Sequence, residues 1–373
     1  MNVEIKETQS LRDRKQWVRF ALTHYKGHQY YVPQLISDEV KYFDPRLNPA
    51  FDVSEIRLFT AIRSGEIVGR ICGIINPLEA EKRGCKVGRF GWFESIDDER
   101  VAAALLDRIK HWLQDEGCVE MTGPHGFSDL DPGGILVEGF DQIPTIAGSY
   151  QYPYYAGLLE TFGMEKGADY VEFRVDISKP VALLERLRGK LDGLGTHSVV
   201  TCATRKQVLA NAEGMWGVLE EVFAPLYGVV PLTAEQKRFY TKKYLSFVDP
   251  DFVKLGFRSD GELVGFFIGI PNLSHSFRRA GGRLLPFGFA HIFREYRNPA
   301  TVDFLLAGGL PDEPTSALTI EALIQMYDSL KKRGIRYIET NRELETNTTV
   351  NRIWRRFEIV NTRRTRVYKM SLT

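Results

Sequence analysis

Residues 64–76 read SGEIVGRICGIIN, and residues 259–272 read SDGELVGFFIGIPN. Gly65, Glu66, Val68, Gly69, Gly73, Ile74 and Asn76 meet Gly261, Glu262, Val264, Gly265, Gly269, Ile270 and Asn272 at a constant spacing of 196 residues. Each turn glycine lies between strand-like runs, LFTAIR and IVGRICGII in the first copy, VKLGFR and LVGFFIGI in the second. A glycine turn between apolar runs is a hairpin signal, because glycine accepts a positive φ without steric cost. Any two hairpins share some features; seven identities at one offset require a common origin.

The flanks repeat as well. After the first hairpin come a strand, VGRFGWFE (87–94), then Asp97 and Asp98 as candidate helix caps. A helix follows with Val101, Leu105, Ile109, Trp112 and Leu113 on one face, then Gly117 and the strand CVEMTG. After the second hairpin come TVDFLLAGGL (301–310), Thr315 or Ser316 as caps, and a helix lined by Leu323, Ile324, Tyr327 and Leu330. Gly334 and the strand IRYIET complete that copy. A helix precedes each hairpin, at 10–25 and 213–223. The chain therefore reads as a duplicated α+β (mixed α/β) unit, divided into 1–177, with a long insertion at 123–155, and 178–373.

A chain of 373 residues suits two domains, and 43% apolar with 26% charged residues suits a soluble globular protein. The formal net charge of +1 argues against nucleic acid as a partner, which requires a basic face. No apolar run reaches the roughly 20 residues of a membrane span, so no membrane partner is expected. The start, MNVEIKETQS, shows no signal-peptide pattern, so a cytoplasmic location is the expectation. Cys72, Cys85, Cys118 and Cys202 have no metal-ligand spacing, so they read as reduced thiols and no metal is expected.

The repeated unit resembles the acyl-CoA N-acyltransferase fold of the GNAT superfamily. The hairpin phrase contributes to this, with NTTVNRIWRRF (347–357) and PYYAGLLETFGMEK (153–166) at the last helix of each copy. YFDPRLNPAF (42–51), GILVEGFDQIP (134–144), YGVVPLT (227–233), GGRLLPFG (281–288) and TRVYK (365–369) resemble bacterial proteins with two GNAT domains in tandem. The resemblance implies two mixed sheets that splay to admit the pantetheine arm of CoA, each flanked by helices. It also implies acetyl or acyl transfer from a CoA co-substrate to the primary amine of a small molecule. Such a reaction needs a base for the ammonium, donors for the oxyanion and an acid for the leaving thiolate.

Several positions depart from the family pattern. The glycine-rich diphosphate loop is replaced by SIDDERVAA (95–103) in the first copy and by LPDEPTSALTIEA (310–322) in the second. Carboxylates at Asp97 and Asp98 repel a diphosphate, so the second copy is the expected CoA site. There Leu306, Ala307, Gly308 and Gly309 would flank the donor, Thr315, Ser316 and Ala317 its diphosphate, and Asn347 its pantetheine or adenine end. Thr315 and Ser316 read equally well as helix caps. The family's acid tyrosine is replaced by Leu159 and Trp354, leaving Tyr154 or Tyr155 as candidate acids.

Glu94 is a candidate base at the implied sheet opening, or else a surface carboxylate near a cap. His125, Tyr150 and Tyr152 are candidate substrate contacts in a 33-residue segment long enough to line a pocket. The alternatives are a solvated histidine and an aromatic cluster packed under a loop. Two functions follow: an N-acyltransferase, intact or degenerate, and a non-catalytic ligand- or partner-binding protein of the same fold. Aminoacyl transfer linked to peptidoglycan or transfer RNA is a third, disfavoured by the neutral charge.

Overall fold

A computed structural model describes residues 2–179, 181–191, 197–310 and 315–373. In chain order its strands are β1 (Glu4–Glu7), β2 (Glu55–Arg63), β3 (Glu66–Ile75), β4 (Val87–Ser95), β5 (Glu120–Gly123), β6 (Ile135–Glu138) and β7 (Glu165–Asp176). They continue as β8 (His197–Thr201), β9 (Val253–Arg258), β10 (Leu263–Pro271), β11 (Thr301–Gly309), β12 (Tyr337–Thr340), β13 (Glu343–Leu344) and β14 (Glu358–Ser371).

The chain forms two compact units. Unit 1 contains the chain up to Val171 together with Ser274–Ile292 and Arg363–Thr373; unit 2 contains Glu172–Leu273 and Phe293–Thr362. The division is thus interleaved and not a single cut after residue 177. Unit 1 orders its strands β1-β2-β3-β4-β5 and finishes with the end of β14, where Tyr368–Ser371 pair antiparallel with Glu120–Gly123. Unit 2 orders its strands β8-β9-β10-β11-β12 and finishes with the end of β7, where Arg174–Asp176 pair antiparallel with Tyr337–Glu339.

The duplication is visible in the register. In unit 1, β3 and β4 pair Gly69 with Ser95, Arg70 with Glu94, Gly73 with Phe90 and Ile74 with Arg89. In unit 2, β10 and β11 pair Gly265 with Gly309, Phe266 with Gly308, Gly269 with Phe304 and Ile270 with Asp303. Both pairs carry an irregularity in the middle, and β4 and β11 each run parallel to the next strand for only three or four residues.

Close packing accounts for much of the repeated phrase. A Cβ on Gly69 would lie 2.8 Å from Leu105, and one on Gly73 would lie 2.5 Å from Trp112, both on the helix Glu99–Asp115. A Cβ on Gly265 would likewise lie 3.1 Å from Leu318, on the helix Thr315–Lys332. The missing side chains let each helix seat its apolar face directly on the hairpin. Val101, Leu105, Ile109 and Leu113 are fully buried as a result, each worth roughly 1.5–3 kcal/mol of burial. Asp98 caps its helix by accepting from the Arg100 N–H, and Gly117 follows the helix end with φ 74°.

Candidate active site

The polar interior of unit 1 is built where β4 separates from β5. The two strands pair only from Val87 to Arg89. Beyond that point Trp92 adopts φ 45°, the His125 N–H donates to the Phe90 carbonyl at 2.7 Å, and Glu94 turns inward with 7% exposure. The helix Leu11–His24 crosses this region and presents His24 and Tyr25 at its end. The helix Tyr154–Thr161 supplies two further tyrosines from its first turn.

Both helices reach one carboxylate, Glu94 of β4. Tyr25 Oη donates to Glu94 Oε2 at 2.5 Å, and Tyr155 Oη lies 2.9 Å from the same oxygen. Tyr155 Oη is also 3.1 Å from His24 Nε2 and 3.0 Å from the Ser95 carbonyl, and it accepts from the Ser95 N–H at 2.9 Å. The hydroxyl thus has Glu94, the Ser95 carbonyl and His24 Nε2 within reach, the role of Nε2 as donor or acceptor following the ring tautomer. Tyr154 Oη closes the group, 3.0 Å from His24 Nε2 and 2.7 Å from the Ser95 carbonyl.

Burial and charge set the protonation states. Burial raises the Glu94 carboxyl, opposed by the Arg70 guanidinium across the strand pair and by the two tyrosine hydroxyls. Arg70 is itself buried, with its guanidinium 4.4 Å above the Trp17 ring and Nη1 3.2 Å from the Trp17 carbonyl. Desolvation, aided by Arg70, lowers His24 to about 4, so its ring is neutral near pH 7. Burial and the Glu94 charge push Tyr25 and Tyr155 well above the usual phenol value, so both remain donors.

The lowered His24 value has a testable consequence for stability. The folded-state pKa lies below the unfolded value of about 6.5, so the unfolded chain binds the proton first as pH falls. The stabilising contribution is complete above about 6.5 and is lost on descent towards about 4. Discounted for the partial exposure of the ring, the loss is about 1–2 kcal/mol. Denaturant melts of wild type and His24→Gln should converge by that amount between pH 7 and pH 4; a constant gap would contradict the assignment.

The structure brings Glu94, Tyr154 and Tyr155 together and adds His24 and Tyr25. The tail of an ordinary amphipathic helix gave no sequence signal for those two. Tyr152 stacks on Tyr25 with ring centres 5.0 Å apart, and its hydroxyl lies 3.4 Å from the His24 carbonyl. Tyr150 is buried against His28, its hydroxyl 3.2 Å from Nε2. His125 is buried at the sheet opening, with Nε2 3.4 Å from Thr122 Oγ1. A cleft of about 850 Å³ opens beside Tyr25 and Tyr31. Its described lining takes nothing from residues 123–155. Part of that segment instead extends the sheet, where Ile135, Leu136 and Glu138 of β6 pair with β14.

Unit 2 has a different character at the matching positions. The register puts Phe266 and Gly308 where unit 1 has Arg70 and Glu94. β12 leaves β11 after Phe304, and Asn341 Nδ2 donates to the Leu305 carbonyl at 2.8 Å. Leu306, Ala307, Gly308 and Gly309 then pair with β10 on one side, with no strand pairing described on the other. Asn347 accepts from the Val350 N–H as a helix cap, and Trp354 packs 5.5 Å from Phe304 in the interior. Thr315, Ser316 and Ala317 begin the next helix; their side chains and residues 311–314 lie outside the described set.

A CoA diphosphate does not fit the matching helix start in unit 1. Asp98 occupies it, bonded to the Arg100 N–H at 2.9 Å and to Arg63 at 2.6 Å. Among the described residues no group of His, Cys, Asp or Glu could hold a metal, and no helix is long and apolar enough to cross a membrane.

No protein-family model matches the chain. It is 27% identical over 376 residues to Protein YghO of Escherichia coli strain K12, covering 96% of this chain and 93% of that protein. It is 28% identical over 264 residues to the bacterial ceramide synthase of Caulobacter vibrioides, covering 70% of this chain and 68% of that protein. Among solved structures, a tandem GNAT protein from the clavulanic acid biosynthesis pathway aligns over 100% of this chain and 99% of its own, with TM-score 0.56 and 13% identity. The chain has the tandem GNAT acyltransferase fold.

Proposed function

We propose that the protein transfers an acyl group from a CoA thioester to a primary amine, and that unit 1 handles the protons. The observation that carries this reading is the bonding of Tyr25 and Tyr155 to Glu94, with His24 beside Tyr155 and Tyr154. An ammonium must lose a proton before its nitrogen can attack the thioester carbon. Glu94, whose carboxyl burial raises, receives that proton directly or through Tyr155. As the C–N bond forms and the C–S bond breaks, the departing thiolate takes up a proton.

Unit 2 is assigned a CoA-binding stretch of its own, along Leu306–Gly309, with the diphosphate near Thr315–Ala317 and Asn347 towards the pantetheine or adenine end; this assignment stands apart from the unit 1 cluster and is tested separately. The relative from Caulobacter suggests the acceptor class. A ceramide is the amide of a long-chain amino alcohol, so we propose an amine carrying a long alkyl chain.

Two measurements test these assignments. Thiol release from acyl-CoA should depend on added long-chain amine; no release with any primary amine would favour the non-catalytic reading. In calorimetric titration with acyl-CoA, Ser316→Asp should weaken binding on the order of a thousandfold, from a carboxylate about 4 Å from a phosphate. Asp98→Ala should leave binding unchanged, and tighter binding by Asp98→Ala would move the donor to unit 1.

A further inference from the structure

The run RLLPFGF (283–289) projects four large apolar side chains into solvent. Leu284 is 39% exposed, Leu285 75%, Phe287 72% and Phe289 56%. Phe293, one helical turn further along Gly288–Arg297, is 56% exposed. Exposed apolar side chains are ordinary when scattered; a cluster of this size marks a binding surface.

The tip has a defined shape. Gly281 and Gly282 have φ 56° and 75°, and the Gly282 carbonyl accepts from the Ile36 N–H at 3.0 Å. The Phe289 N–H donates to the Leu284 carbonyl at 2.9 Å, and a Cβ on Gly288 would lie 2.2 Å from the Arg283 carbonyl oxygen. The turn is therefore closed on itself, with its apolar side chains on the outside.

Directly beside the tip stands the wall of the unit 1 cleft. Arg19, Lys26, Arg278, Arg279 and Arg283 line it, and its described lining contains no carboxylate. None of the five has an ion-pair partner among the described residues. Because the whole chain carries a formal charge of only +1, this local excess of positive charge is particular to the site.

We propose that the 283–289 tip and the arginine wall dock unit 1 on the surface of an anionic phospholipid membrane. Leu285, Phe287 and Phe289 would enter the boundary between headgroups and acyl chains, and the five cations would meet lipid phosphates. A second copy of the chain is a poor occupant, because a two-fold contact would set each arginine wall against its twin. A free phosphate would satisfy the cations and leave the apolar tip in water. Hydropathy along the chain misses such a site, since seven residues fall far short of a span.

Flotation of the full chain with vesicles tests this without reference to acyl transfer, so it can fail while the proposed reaction stands. Phosphatidylcholine vesicles containing phosphatidylglycerol should bind at least about tenfold more tightly than phosphatidylcholine alone. The pair Leu285→Glu, Phe287→Glu should lose at least about tenfold, with an unchanged melting curve because both side chains face solvent. The pair Arg278→Glu, Arg279→Glu should lose preference for anionic vesicles. Full binding by either double variant would overturn the proposal. So would absence of vesicle binding together with a dimer that Leu285→Glu, Phe287→Glu makes monomeric, or binding that inorganic phosphate abolishes and the apolar pair leaves intact.

Discussion

Replacing Glu94 with glutamine should lower kcat/KM for amine acylation by about 10²–10³-fold, close to 3–4 kcal/mol of transition-state stabilisation. The carboxylate accepts from both Tyr25 and Tyr155, at 2.5 and 2.9 Å, and its charge polarises the two hydroxyls. Glutamine keeps the shape, and its Oε1 can still accept from the hydroxyls, but the charge is gone. A neutral amide oxygen cannot take up the proton, so proton transfer to this position is broken. Burying a neutral amide costs less than burying a carboxylate, so the variant should melt no lower than wild type. Affinity for acyl-CoA measured by calorimetry should be unchanged, because unit 2 is assigned the donor. Tyr155→Phe should add little to Glu94→Gln, since the two act as one network. A Glu94→Gln rate within about threefold of wild type would remove Glu94 from the chemistry.

The largest effect on stability is expected at Arg89. This side chain is 1% exposed and holds Glu79 bidentately, Nε to Oε2 at 2.5 Å and Nη2 to Oε1 at 2.7 Å. Glu79, on the helix Pro77–Arg83, is 3% exposed. Arg89→Met should cost about 3–5 kcal/mol, because it strands a carboxylate without its counter-charge. For a unit of this size that corresponds to roughly 6–20 °C in Tm. Adding Glu79→Leu should restore most of the loss, because the stranded charge is the principal penalty. Calorimetric melts of the two variants decide the matter, and equal destabilisation of single and double variants would refute the account. Unit 2 has Asp303 at this register position, bonded through Asn272 Nδ2 at 2.6 Å and raised well above the usual carboxylate range by burial. The buried polar position is retained between the units while the charge it carries is not.

The hairpins, caps and helix faces were legible because their signals are local. Gly65 and Gly261 sit at φ 83° and 91°, conformations that the residue type announces. Asp98 caps its helix through an amide two residues away, and the apolar face of Glu99–Asp115 follows from helical period alone. Constant spacing then made the duplication readable without any contact being known. Glu94, Tyr154 and Tyr155 could be nominated singly, as polar groups at expected element ends.

Their meeting could not be read from the chain. Sixty-nine residues separate Tyr25 from Glu94, and 131 separate His24 from Tyr155. No periodicity marks such a pair, because the approach is set by packing of the helix Leu11–His24 across the opening of β4 and β5. The same reason hid the interleaving of the units. Ser274–Ile292 and Arg363–Thr373 join unit 1 through contacts with residues more than a hundred positions away. Local pattern along the chain was enough for the repeated unit and its turns. Which copy keeps an acid–base cluster emerges only in three dimensions, because strand register fixes which side chains face one another and Gly308 has none to offer where Glu94 stands.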